Sequence, residues 1–504
     1  MSHPNDNARV GLGARTLNGL LWGFTGNGVQ FAVQFLTLIV LARLVSPAEF
    51  GVVAIAMVVV NLSEVFSQIG TGAAIVQRAE LDDLHVRAGY AMAGTLGILF
   101  CGIVILNAHM IGRWFDMPDL PGVLRALACV FVINSLRIVA EALLQRQLAF
   151  KVIAASNVLS YTIGFACIAV LLAYAGYGVW ALVAGHVTQA LVKTVFLNLA
   201  HPHSRRLTLS LKHYRELLHF GGGFALARLG NFTAVQGDNV VVGRFLGTDA
   251  VGLYGRAYQL MILPIKLFGS VLDAVLFPAM ASVQNDVATL ARIYQQGVAL
   301  VAIMTLPLSI FLFIYAREII LGVLGPQWDA AIAPFRVLAV AMLFRSSSRM
   351  SDSLAKAMGL VYRRAWRQWI YAALVVFGAA VGSRFDLVGV ASGVAMATLA
   401  NSILMTSLSL NALRLSWSRF LFIHWPALVL GLVTAVVSWG TAATLSLVRF
   451  PDLVKACAGA LIVCAVTGLL MAIFPSVFLG EYGRDTVARF AGRLGIRGRV
   501  FSTS

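Results

Sequence analysis

Apolar segments long enough to cross a bilayer recur from one end of this 504-residue chain to the other. A helix rises about 1.5 Å per residue, so a hydrocarbon core about 30 Å thick needs about 20 apolar residues. Spans are predicted at about 17–42, 50–76, 88–108, 122–145, 152–174, 177–199, 218–243, 253–280, 293–315, 331–356, 366–383, 387–410, 425–447 and 453–475. In lipid, backbone polar groups must be satisfied within the protein, and continuous runs of this length do so as helices. The expected fold is therefore all-α: a polytopic membrane protein of about fourteen helices. The first apolar stretch is too long for the core of a cleaved signal peptide and reads as a retained span.

Composition narrows the function. Hydrophobic residues make up 59% and charged residues 12%, while the formal net charge is +17. A basic nucleic-acid binder carries its charge on a soluble face, so this balance argues against nucleic acid. The five cysteines (Cys101, Cys129, Cys167, Cys457 and Cys464) lie in apolar runs without CxxC spacing and read as packing residues. His201 and His203 stand together in a basic loop without further ligands, and neither a metal nor a cofactor is expected. GxSxG, HExxH and Walker sequences are absent, so no catalytic residue is assigned.

Charge asymmetry gives an orientation. One set of alternate loops holds Arg78, Arg87, Arg146, Lys151, Arg205, Arg206, Lys212, Arg363, Arg364 and Arg414, whereas the opposite loops hold about one arginine each. Both termini fall on the basic side and are expected to be cytoplasmic. The tail from Gly480 places Val487, Phe490 and Leu494 at helical spacing away from Arg489, Arg493 and Arg497, as in a helix on an anionic leaflet; a solvated tail is the alternative.

A repeat is visible inside the chain. RLVSPAEFG at 43–51 aligns with RFLGTDAVG at 244–252, which lays span 7 over span 1 and span 8 over span 2. An even number of spans separates the copies, so the repeat is parallel, with a pseudo-symmetric pair of bundles around a central cavity. The organisation expected is an N-terminal bundle at 1–199, a cytoplasmic linker at 200–217, a C-terminal bundle at 218–410, two further spans at 411–475 and a basic tail at 476–504.

Polar side chains mark which helices face an interior, because residues three or four apart share a helix face. Asn27, Gln30 and Gln34 form one stripe, and Asn61, Glu64 and Gln68 a second. Others are Asn134, Arg137, Glu141 and Gln145; Arg228, Asn231 and Asp238; Arg256, Gln259, Lys266, Ser270 and Asp273; and Arg345, Arg349, Asp352 and Lys356. Each stripe has a plainer reading. Asn and Gln often join helices, Arg137 and Glu141 are spaced to neutralise each other, and Arg256 and Lys356 lie near span ends. Arg228, Arg345 and Arg349 are harder to explain that way, because a guanidinium in hydrocarbon is expensive and persists where it faces protein or water. Its planar fork suits phosphate.

LARLVSPAEFGVVAIAM, GTGAAIVQR, GDNVVVGRFLGTDAVGLYGRAYQLMILPI, LFPAM and LGPQW resemble the polysaccharide transporter family of lipid-linked oligosaccharide flippases. This family sits within the multidrug/oligosaccharidyl-lipid/polysaccharide superfamily, and the subgroup resembled is the colanic-acid and exopolysaccharide type. The resemblance implies a bacterial inner-membrane protein, similar to lipid II flippases. It implies movement of an undecaprenyl-pyrophosphate-linked repeat unit between leaflets by alternating access, with membrane lipids, a polymerase and export machinery as partners. The family pattern of span 7 matches Arg228, Asn231-Phe232 and Asp238-Asn239, whereas Arg345 and Arg349 stand where the family commonly has neutral polar residues. The expected substrate contacts are Arg228, Arg345, Arg349, Arg137, Lys266, Asn231 and Arg256. Asp238, Asp273, Glu64, Glu141 and Asp352 are expected to balance charge or carry a coupling ion. Two other functions remain open: a membrane polysaccharide polymerase or ligase, which normally needs a large outer loop, and a drug or cation exporter, which needs an acidic cavity.

Overall fold

The computed structural model describes residues 28–67, 72, 75–76, 78, 81–202, 208 and 210–478; the side chains at 63–67, 211–212, 215, 217–228, 267–275, 277, 361 and 476 are not described. Asn27, Gln68, His203 and the basic tail lie outside the described residues, as do the side chains of Glu64, Arg228, Ser270 and Asp273.

The regular structure of the described residues is helical, without a strand among them. Helices α1 (Gly28–Leu44), α2 (Pro47–Ser67), α3 (Asp83–Phe115), α4 (Leu120–Ser135), α5 (Ile138–Arg146), α6 (Phe150–Tyr174) and α7 (Val179–Ala200) come first. Then follow α8 (Leu211–Phe245), α9 (Gly247–Ser282), α10 (Val287–Ile314), α11 (Ala316–Val323), α12 (Ile332–Ala357), α13 (Val361–Gly382) and α14 (Asp386–Leu413). The last are α15 (Trp417–Ile423), α16 (Trp425–Ser446), α17 (Asp452–Ile473) and the short α18 (Pro475–Phe478). By length and apolarity, eight described helical stretches can cross a membrane, or nine when the bent pair α4 and α5 is one span; about fourteen spans were expected. Part of that difference is one 52-residue stretch, Tyr362–Leu413, which contains both α13 and α14. These fold back on each other: Gly378 packs on Gly393 and Gly382 on Gly389, so closely that a Cβ on any of the four would strike the opposite backbone. Small residues four apart let membrane helices approach in this way.

The chain divides into two compact units, one of residues 1–232 with 243–252 and the other of residues 233–242 with 253–504. Within the first, the two copies of the sequence repeat meet. A Cβ on Gly51 would strike the carbonyl of Thr248, and a Cβ on Gly252 would strike that of Pro47. Pro47 and Thr248 are equivalent positions of the repeat, as are Gly51 and Gly252, so the contact is reciprocal. Both glycines are needed for that approach rather than for backbone freedom. In the second unit, α10, α12 and α14 pack around Tyr294, Val298, Met350, Leu354 and Leu410, all nearly inaccessible to solvent.

Candidate functional site: two cationic clusters

The first cluster sits at a broken helix. α4 and α5 meet at 41°, and the break leaves backbone groups outside the regular ladder. The Arg137 N–H turns to the Asn134 carbonyl at 3.1 Å, a tighter bond than the α-helical one to Ile133. Helix α7 supplies the replacement. Thr194 Oγ1 donates to the Ile133 carbonyl at 3.0 Å, and Asn198 Nδ2 donates to the Leu136 carbonyl at 3.1 Å. Non-helical backbone at membrane depth is tolerated where protein satisfies it in this manner.

The same break aims Arg137. Its Nε donates to Asn134 Oδ1 at 3.0 Å and its Nη1 to Glu141 Oε2 at 2.5 Å. Lys193, one residue before Thr194 on α7, donates to the other Glu141 oxygen at 3.1 Å. All three side chains are at most one-fifth exposed. Two cations thus share one carboxylate. The Arg137–Glu141 pair was visible as a one-turn spacing; Lys193 was missed, although a lone lysine in the apolar run of α7 was a usable signal.

The second cluster surrounds Arg345 on α12. Its Nη1 donates to the Tyr258 hydroxyl of α9, its Nη2 donates to the Tyr371 hydroxyl of α13 at 3.1 Å, and its guanidinium carbon lies 5.0 Å from the Tyr258 ring centre. Tyr371 passes the chain on to Thr398 Oγ1 of α14 at 3.4 Å; Thr398 commits its own proton to the Val394 carbonyl at 2.8 Å. Beside this cage, buried Asp238 of α8 accepts from the Tyr254 hydroxyl at 2.8 Å and from the Asn239 backbone N–H at 2.9 Å. The Arg345 Nε–H is buried without a hydrogen-bond partner among the described residues. Arg345 is thus held by neutral phenols and a π face, and among the described residues no carboxylate is hydrogen-bonded to it.

The other expected residues are dispersed. Arg349 Nη1 reaches the Ile265 carbonyl at 3.3 Å. Asp352 does not turn to Arg345 or Arg349; it takes both forks of Arg364 and the Lys356 ammonium, the latter at 2.7 Å. Arg256 donates to Gln259 one turn along α9. Asn231 and Lys266 are exposed. The tyrosines around Arg345 were not singled out from sequence, because Tyr258 lies 87 positions away and Tyr371 on the next helix, beyond any spacing along one helix face.

The comparisons with known proteins fit a transporter of this architecture. Residues 40–333, more than half of the chain, match the family model described as "Polysaccharide biosynthesis protein". The chain is 25% identical over 437 residues to the lipopolysaccharide biosynthesis protein WzxC of Escherichia coli K12, covering 85% of this chain and 88% of that one. It is 28% identical over 321 residues to the succinoglycan biosynthesis transport protein ExoT of Rhizobium meliloti, covering 63% and 64%. Among solved structures, the lipid II flippase MurJ matches with a TM-score of 0.74 at 14% identity, covering 90% of this chain and 98% of that one. An inward-facing multidrug resistance MATE transporter of the MOP superfamily matches with a TM-score of 0.61 at 16% identity, covering 76% and 95%. At these identities the structural likeness is one of fold. Fold, apolar helices and family match agree, and this multi-pass membrane protein belongs to the polysaccharide biosynthesis protein family.

Proposed function

We propose that this chain is a flippase that moves an undecaprenyl-pyrophosphate-linked oligosaccharide repeat unit across the bacterial inner membrane, with both termini cytoplasmic, for exopolysaccharide or O-antigen assembly. The observation that carries the reading is Arg345: a guanidinium on a helix of the membrane-embedded fold, oriented by Tyr258 and Tyr371 and not by a carboxylate. A charge held this way keeps its attraction for an anion. The names of WzxC and ExoT, both tied to polysaccharide biosynthesis, agree with a saccharide cargo.

In this mechanism no bond of the substrate is broken. Arg345, aided by Arg349, attracts the pyrophosphate and any acidic sugars. The prenyl tail stays in lipid. Alternating access then exposes the bound headgroup to the other side. Asp238, hydrogen-bonded to Tyr254, would carry a coupling proton or sodium ion. A polymerase and export machinery would receive the product. The fold is shared with MATE exporters, but a cationic drug is repelled by Arg345, which favours an anionic cargo. The test is deletion of the gene followed by analysis of the lipid fraction. An undecaprenyl-linked saccharide should accumulate on the inner leaflet, and normal polymer export in the deletion strain would overturn the proposal.

A further inference from the structure

The starts of α3 and α8 are held side by side in the first unit, with Tyr214 of α8 packed against Ala88 and Met92 of α3. Where they meet, Asp82, His85 and His213 bring one ligand atom each to within 4.8 Å of one another. The two histidines are largely buried, at 7% and 11% side-chain exposure, and their rings meet edge to face with centres 4.4 Å apart. Asp82, at 55%, opens the group to solvent. It caps α3, with Oδ1 accepting the His85 backbone N–H at 2.8 Å. That cap, with the His85 and His213 rings nearby, holds its carboxyl below the ordinary carboxylate range.

We propose that Asp82, His85 and His213 bind a divalent transition-metal cation of the zinc or cobalt class. The geometry points there. His213 Nδ1 lies 2.6 Å from Ser210 Oγ, a hydroxyl able to take its proton in one tautomer or to give one in the other. In the tautomer with the proton on Nδ1, His213 Nε2 turns a lone pair toward Asp82 Oδ2 at 3.5 Å. That spacing is close to the separation of about 3.3 Å between two ligands on a tetrahedral zinc with arms of about 2.0 Å. His85 Nδ1 meets the same carboxylate, while His85 Nε2 lies 3.1 Å from Glu216 Oε2, and Arg78 Nη2 fixes Glu216 at 2.6 Å. Each imidazole therefore aims one nitrogen at Asp82 and has the other positioned by an outer partner, Glu216 or Ser210. Metal-binding histidines are oriented by such a second layer of hydrogen bonds. Asp83, next in sequence, is taken by Arg87 and stays outside the set. Three protein ligands leave a fourth position for water. An ion here ties α3 to α8 independently of the anion site.

The test uses the full chain purified in detergent, with any affinity tag removed, stripped with chelator and titrated with cobalt(II). Binding is followed by the visible absorption of tetrahedral cobalt and by metal analysis after dialysis. The wild-type chain should retain about one cobalt per molecule, with a band lost on acidification as the histidines protonate. H213A should abolish the band, and E216Q should weaken binding about tenfold to a hundredfold through the outer layer alone. His424, whose Nδ1 is bonded to the Phe420 carbonyl instead of a carboxylate, provides the control: H424A should bind as wild type does. If the wild-type chain retains no cobalt, His85 is a doubly protonated bridge between Asp82 and Glu216, and the proposal is wrong. A cobalt band unchanged in H213A also overturns it.

Discussion

The two cationic clusters solve the same problem in different ways. At the α4–α5 break, Arg137 and Lys193 are neutralised in part by Glu141. Around Arg345, phenols hold the guanidinium, and the nearby carboxylate, Asp238, is hydrogen-bonded to Tyr254 and not to Arg345. The first arrangement suits a joint: its charges stabilise a bend whose carbonyls are already satisfied by Thr194 and Asn198. The second suits a receptor, since a cation fixed by neutral groups remains available to an incoming anion. Asp352 repeats the first pattern within the second unit, matched to Arg364 and Lys356. A carboxylate partner therefore separates structural arginines from the one proposed to bind substrate.

This contrast predicts a graded set of outcomes. The largest effect belongs to Arg345→Met. Polymer export should fall by at least about a hundredfold, the loss expected when about 3 kcal/mol of charge-assisted binding is removed, while membrane insertion is retained. Next comes Glu141→Gln, which leaves Arg137 and Lys193 facing each other. Breaking such a buried pair costs about 3–5 kcal/mol, so a large drop in thermal stability is expected in detergent; an unchanged melting temperature would remove the joint from the account. Tyr371→Phe deletes one acceptor of Arg345 and should cost about 1–2 kcal/mol, read as a roughly tenfold rise in the substrate level needed for half-maximal export. Lys356→Ala should be nearly silent, under about 1 kcal/mol in stability, because the side chain is half exposed and Arg364 keeps Asp352 paired. If Lys356→Ala were as damaging as Arg345→Met, the division between paired and phenol-held cations would fail.

How far the sequence anticipated these clusters depends on the distance between partners. Arg137 and Glu141 are one turn apart, so their pairing was readable from spacing. Lys193 completes the group from 52 positions away and became visible only with α7 packed against the break. Spacing held in part for Asp352. Lys356, four residues on along α12, pairs with it, but Arg364 comes from the next helix and Arg349, three residues before it, turns elsewhere. A helix face narrows the partners without fixing them, because a neighbouring helix can offer a better-placed group. The helical segments themselves were legible because bilayer length is a one-dimensional requirement. The aligned stretches at 43–51 and 244–252 also meet in the structure, with Gly51 and Gly252 in a reciprocal close approach. The Asp82, His85 and His213 group was not, since its two histidines are 128 positions apart and show no ligand spacing.

The account rests on Arg345 being a substrate contact and not a structural cation. The most direct measurement is the leaflet distribution of the lipid-linked saccharide in a deletion strain complemented with either the wild-type chain or Arg345→Met at matched membrane levels. Comparing intact spheroplasts with lysed vesicles, each exposed to an impermeant sugar-modifying reagent, reads that distribution. Wild type should place the saccharide within reach of the reagent from outside, and Arg345→Met should leave it reachable only after lysis. Equal outside labelling in the two strains would contradict the account.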